Sequence, residues 1–237
     1  MWLALSVSAG HALGQPPDPP ADPRGTIALD AGHGGKESGG RGPQGTLEKE
    51  VCLALVRHLT RLLEPDYRVI LTRSDDYDVA LPERTAIANH HDADLLISIH
   101  TAAGFTQAAD GIAIYYFKPS VQAAEERPQS LPDTQVGHAW NRVQIPHTAA
   151  SRTLAALIQQ SFETVPGIPS VQVAQAPLQV LEGANMPAVL LEVGYLTHAA
   201  SEKSLNTPER QAAYAQAIAR AIDSFMASLR PRPHMQR

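Results

Sequence analysis

The chain is predicted to fold as α/β, a single domain with a mainly parallel sheet of about six strands flanked by helices. Three observations carry that expectation. Short apolar runs rich in β-branched residues alternate with stretches of helical periodicity. Several of those runs are apolar throughout, as in strands covered on both faces. No internal repeat interrupts the alternation, and 237 residues, 43% of them hydrophobic, suffice for one sizeable core.

The first strand is read at TIALD (26–30), followed by a glycine-rich turn, AGHGGKESGG. A helix is predicted from Lys49 to Glu64, where Val51, Leu55, Leu59, Leu62 and Leu63 fall on one face and Pro65 stops the pattern. Further strands are read at YRVILTR (67–73), DLLISIH (94–100), GIAIYYF (111–117), LQVL (178–181) and AVLLEVG (188–194). Further helices are expected at 83–91, 150–164 and 208–228, the last with Thr207 as N-cap and Pro208 at its first position.

The folded domain is expected to span 25–229. Residues 1–24 read as a signal-peptide remnant without its positive n-region, followed by a spacer, QPPDPPADPR, that five prolines keep extended. Residues 230–237 read as a disordered, proline-broken tail. No other apolar run reaches the ~20 residues that span a bilayer, so an integral membrane protein is not expected.

Composition excludes several function classes. A net charge of −5, with the 19 lysines and arginines scattered, offers no basic field for nucleic acid. One cysteine, Cys52, rules out both a disulfide framework and a cysteine-rich zinc site, and it reads as a buried small residue. The glycine turn lacks the G-x-x-x-x-G-K-[ST] and G-x-G-x-x-G spacings of nucleotide loops, and no G-x-S-x-G elbow is present.

Ligands of open α/β sheets bind beyond the carboxyl ends of the strands, so polar residues there are the candidates. His33 follows the first strand, His100 closes the third, Glu192 interrupts the apolar last strand, and Glu48 begins the first helix. Two imidazoles and one carboxylate are the ligand set of a catalytic zinc that keeps a position for water. A second carboxylate is the usual general base. A polar residue that closes an apolar strand must be satisfied by hydrogen bonds or metal. The other histidines form no competing set, although His138 is a candidate extra ligand.

The ordered motifs IALDAGHGG, GTLEKEVCLALVRHL, VILTRSDDYDVALPERTAIAN, ADLLISIHTAA, GIAIYYF and MPAVLLEVGYLTH resemble the zinc-dependent N-acetylmuramoyl-L-alanine amidases of the amidase_3 type, from Thr26 to about Ala227. The resemblance implies a phosphorylase/hydrolase-like fold and a peptidoglycan hydrolase. Such an enzyme cuts the amide between N-acetylmuramic acid and the L-alanine of the stem peptide. It further implies one Zn2+ per chain held by His33, Glu48 and His100, with Glu192 as the catalytic carboxylate. The implied partners are peptidoglycan and a protein activator, the implied location is extracytoplasmic, periplasmic or secreted, and the chain is expected as a monomer. The alternatives are a catalytically silent wall-binding or regulatory homologue and a zinc amidohydrolase of another amide.

Asp30, Arg73 and Arg84 also match family positions and are expected to be structural, with Asp30 able to orient the second ring nitrogen of His33. Two departures stand out. Thr101 and Ala102 follow His100 where many relatives have alanine and then asparagine or aspartate, which leaves substrate details open. The segment from Lys118 to Pro146 is long for a connection. Some relatives carry an inhibitory helix at about this place. Prolines here leave room only for a short one around 121–127, from which Glu125 or Glu126 would reach the zinc.

Overall fold

A computed structural model describes residues 20–102, 110–119 and 140–229. Six strands form one sheet, β1 (Thr26–Ala31), β2 (Arg68–Leu71), β3 (Leu95–Ala102), β4 (Ile112–Phe117), β5 (Val171–Ala176) and β6 (Ala188–Tyr195). Their order is β2-β1-β3-β6-β4-β5. Every neighbouring pair is parallel except β4 with β6. Helices α1 (Glu48–Leu63), α2 (Leu81–His90), α3 (Thr148–Glu163), α4 (Ala199–Leu205) and α5 (Pro208–Leu229) cover it.

Alternation along the central strands sorts the side chains into two cores. Ile27, Leu29, Leu95, Ile97, Val189 and Leu191 face the larger one, where Val51, Cys52, Leu55 and Leu59 of α1 meet Phe162 of α3 and Ile218 and Phe225 of α5. Ala28, Leu96, Ala188 and Leu190 face a smaller core closed by Ala88 of α2 and by Val180 and Leu181. Both faces of β1, β3 and β6 are therefore dry, which is why these strands read as unbroken apolar runs. Cys52 is buried as expected. Thr207 caps α5 through its hydroxyl, which accepts from the Arg210 N–H at 3.3 Å.

Two expectations are corrected. LQVL is not a strand: Gln179–Leu181 forms a 3-10 turn whose apolar residues fill the smaller core. The fifth strand is instead VQVAQA, an edge strand half open to solvent, so its alternating polar residues carried no apolar run. Leu62 lies off the buried stripe of α1 and is 43% exposed. The seven-residue α4 was not anticipated, and the short helix proposed around 121–127 lies outside the described residues.

Candidate metal centre

The centre is built where β1, β3 and β6 lie side by side. After Ala31 the chain enters the glycine turn, where Gly32 N–H donates to the Ile99 carbonyl, Gly34 and Glu37 bond each other, and Gly35 donates to Asp76. The turn's purpose is to aim one side chain inward.

That side chain is His33, whose φ of +57° lies in the left-handed region. A non-glycine residue there costs on the order of 1–3 kcal/mol and persists only where the surroundings over-determine it. Two buried guanidiniums do so. Arg73 donates to the carbonyls of Ala31 (2.8 Å), Gly32 (2.7 Å) and Lys49 (2.9 Å). Arg84 donates to those of Ala31 (2.8 Å) and His33 (3.0 Å). Arg84 is in turn paired with Asp30 at 2.7 Å, and Asp30 accepts from the hydroxyls of Thr72 and Ser98, each at 2.6 Å. The structural expectation for Asp30, Arg73 and Arg84 thus agrees with their bonds. The suggested contact from Asp30 to the His33 ring is corrected: all of the Asp30 bonds run to Thr72, Ser98 and Arg84, so it acts on His33 only through Arg84.

His33, Glu48 and His100 converge, with their ligand atoms all within 4.8 Å of one another. One Glu48 oxygen lies 3.0 Å from His100 Nδ1 and the other 3.2 Å from His33 Nε2. The same two oxygens accept from the N–H of Thr101 (2.9 Å) and of Gly40 (2.7 Å). The imidazole rings stand edge to face with centroids 5.0 Å apart. Burial raises the Glu48 carboxyl's proton affinity, but its bonds to His100, His33 and Gly40 more than offset this and hold it well below the usual carboxylate range.

Glycines make room for this cluster. A Cβ on Gly32 would lie 2.5–2.7 Å from three atoms of the His100 ring, and one on Gly39 would meet His33 and Glu48. An imidazole pair plus an ionised carboxylate is a donor set that divalent transition-metal ions, zinc among them, accept. The donor set therefore fits such an ion, and among the described residues no other group of three or more could hold one.

Glu192 sits in register with His100 on the adjacent parallel strand, so both side chains rise from the same face. Burial pushes its carboxyl up; His100 opposes and the Glu48 charge adds, leaving it above the usual range. His138, Glu125 and Glu126 lie outside the described residues.

One residue escaped the sequence reading. Glu202 of α4 is fully buried and accepts from the N–H of Gln44 (2.9 and 3.0 Å) and of Thr46 (3.1 Å), in the loop that delivers Glu48. Burial works against its charge, but these donors outweigh it and keep the carboxyl below its usual range. A Glu within a short polar segment gives no pattern that could have revealed this.

A largely parallel α/β sheet with two imidazoles and a carboxylate gathered at the carboxyl ends of its central strands defines an α/β protein with a candidate single-metal centre. The Amidase_3 family model, described as N-acetylmuramoyl-L-alanine amidase, matches residues 27–224. The chain belongs to that family. It is 31% identical to the N-acetylmuramoyl-L-alanine amidase AmiA of Escherichia coli, over 93% of this chain and 82% of that one. Its match to AmiC of Neisseria meningitidis (30% identical) covers 86% of this chain and 53% of the relative, about half its length. Among solved structures, the amidase AmiC2 of Nostoc punctiforme superposes with a TM-score of 0.68 at 27% identity, over 86% of this chain and 98% of that one.

Proposed function

We propose that the protein is a zinc-dependent peptidoglycan hydrolase that cleaves the amide between N-acetylmuramic acid and the L-alanine of the stem peptide. The observation that carries this reading is the convergence of His33, Glu48 and His100, with Glu192 in register beside His100. Membership of the amidase family supports the substrate. Residues 25–229 constitute the catalytic domain in this reading. The substrate implies an extracytoplasmic site of action; no helix among the described residues is long and apolar enough to cross a membrane.

His33, Glu48 and His100 would hold the ion through their imidazole nitrogens and a carboxylate oxygen. Zinc bound there supplies Lewis acidity toward the scissile carbonyl and toward water. Glu192 accepts a proton from the attacking water and returns it to the nitrogen of the departing L-alanine, and its raised proton affinity suits both transfers. Arg73 and Arg84 hold the carbonyls of Gly32 and His33 and so keep the His33 backbone in its strained conformation, from which the imidazole reaches Glu48.

The test is digestion of purified peptidoglycan with mass spectrometry of the products, in buffer, with a chelator, and with zinc restored. Release of intact stem peptides beginning with L-alanine, lost on chelation and regained with zinc, is expected. Glu192→Gln is expected to keep zinc and lose turnover. Other products, or wild-type turnover by Glu192→Gln, would overturn the reading.

A further inference from the structure

Glu202 is a fully buried carboxylate whose partners are the backbone N–H groups of Gln44 and Thr46 and the Thr46 hydroxyl rather than a cation. Burying an ionised carboxylate costs several kcal/mol unless its oxygens are well hydrogen-bonded. Here the bonds go to residues 44 and 46, four and two positions before Glu48. That loop is closed on itself by the Arg41–Leu47 bridge and by the Gly42 N–H donating to the Thr46 carbonyl, so Glu202 ties a preformed turn to α4. The loop turns tightly through Gly42–Gly45, and it enters α1 at Leu47, which offers no side-chain cap. Gly42 has no Cβ where the Glu202 carboxyl lies against it. The neighbouring Asn206 adds a second tie, donating from Nδ2 to the Thr46 hydroxyl at 2.6 Å.

The elements at the other end of this tie matter as much. Helix α4 begins four residues after Tyr195, the last residue of β6, and β6 carries Glu192. Leu205 of α4 packs back toward Gly194 of that strand, so helix and strand end form one packed piece. A short path therefore runs from Glu192 along β6 into α4, through the Glu202 carboxylate to the 42–47 loop, and on to Glu48.

We propose that Glu202 is a positioning residue: it ties the loop bearing Glu48 to the strand bearing Glu192, and so fixes one metal-holding carboxylate relative to the acid–base carboxylate. The inference rests on the assignment of Glu48 and Glu192 made under the proposed function. Chemically the tie is a set of charge-assisted N–H···O− bonds, which are shorter and stronger than neutral ones. A glutamine has the same shape, yet it carries no charge and its NH2 would stand where the second oxygen accepts from the Gln44 N–H.

The experiment compares full-length wild type, Glu202→Gln and Asn206→Ala. Zinc dissociation constants are measured by competition with a chromophoric chelator, and amide hydrogen exchange is followed in the metal-free proteins. Glu202→Gln is expected to weaken zinc about 10-fold, the lower end of what outer-shell partners of metal ligands contribute. It should also speed exchange at Gln44, Thr46 and Glu48 while the amides of β3 stay protected. Asn206→Ala, on the exposed end of α4, should move the same quantities in the same direction by a few-fold. A merely structural role would lower the melting temperature and leave zinc affinity below the transition unchanged. Zinc affinities within twofold of wild type in the folded variants would overturn the proposal. If Glu202→Gln does not fold, Asn206→Ala decides. Failure of the underlying assignment looks different, because the wild type itself would then bind no zinc. Exchange at Glu48 would still report whether the tie holds the loop, and an unchanged rate would sink the tie as well.

Discussion

Replacing Asp30 by asparagine tests the support beneath the strained histidine. Asp30 is wholly buried and Arg84 is 3% exposed, and their oxygen and nitrogen lie 2.7 Å apart. Removing one partner of such a pair leaves the other charge uncompensated, which costs about 3–5 kcal/mol. The lower figure applies here, because Arg84 still donates to the carbonyls of Val79, Ala31 and His33. For a domain of this size each kcal/mol shifts the melting temperature by ~2–4 °C, so Asp30→Asn should melt about 6–12 °C lower. Arg84→Met should cost at least as much, since it strands a carboxylate. In the double variant neither charge is left alone, and the loss should fall short of the sum by about 2 kcal/mol.

The same pair predicts a pH dependence. Burial raises the Asp30 carboxyl, but Arg84 and the Ser98 and Thr72 hydroxyls outweigh it and hold it below its ordinary value of 3.8. The unfolded chain therefore takes up this proton first on acidification. Its contribution is complete above the ordinary value and is lost as the pH falls toward the lower folded one. Urea midpoints of the wild type should fall more steeply between about pH 5 and 3 than those of Asp30→Asn. Strictly additive single substitutions, or parallel acid profiles, would refute the reasoning.

Gly32→Ala places a Cβ 2.5–2.7 Å from the His100 ring and should weaken zinc by about 10-fold or more, read by chelator competition, with the circular dichroism spectrum retained. Leu59→Ala, at a fully buried site, should cost ~2–5 kcal/mol in urea unfolding, while Leu62→Ala, at a site 43% exposed, should stay within ~0.5 kcal/mol. Free zinc at 100 times its dissociation constant should stabilise the protein by ~2.7 kcal/mol over the chelated form. In a thermal scan that is about 5–11 °C, and identical melting curves would argue against a site preformed in the native state.

Strands β1, β3, β4 and β6 were legible because burial leaves them almost uniformly apolar, and α1 because its stripe recurs with the helical period. The edge strand β5 was not, since solvent on its outer face admits glutamines at 172 and 175. LQVL misled for the opposite reason: a short apolar run is equally useful as a plug, and Val180 and Leu181 plug the smaller core. His33, Glu48, His100 and Glu192 could be named because each is a polar residue at a strand end or helix start of a fold whose ligands gather there. The supports were half visible. Asp30, Arg73 and Arg84 could be recognised as structural, but the two arginines mostly reach backbone carbonyls, which carry no letter in a sequence. Glu202 was invisible for much the same reason, since its partners are mainly backbone amides.

The strand order β2-β1-β3-β6-β4-β5 has a consequence for assembly. Until residues 188–195 are made, the growing chain lacks the strand by which β2-β1-β3 and β4-β5 are joined in the native order. Each leaves open the strand edge that β6 will later occupy, a site prone to wrong pairing. The wedge that unites them also brings Glu192 and, ten residues later, Glu202. No shorter nascent chain can therefore hold all parts of the proposed catalytic apparatus, and lytic capacity would emerge in one late step with closure of the sheet.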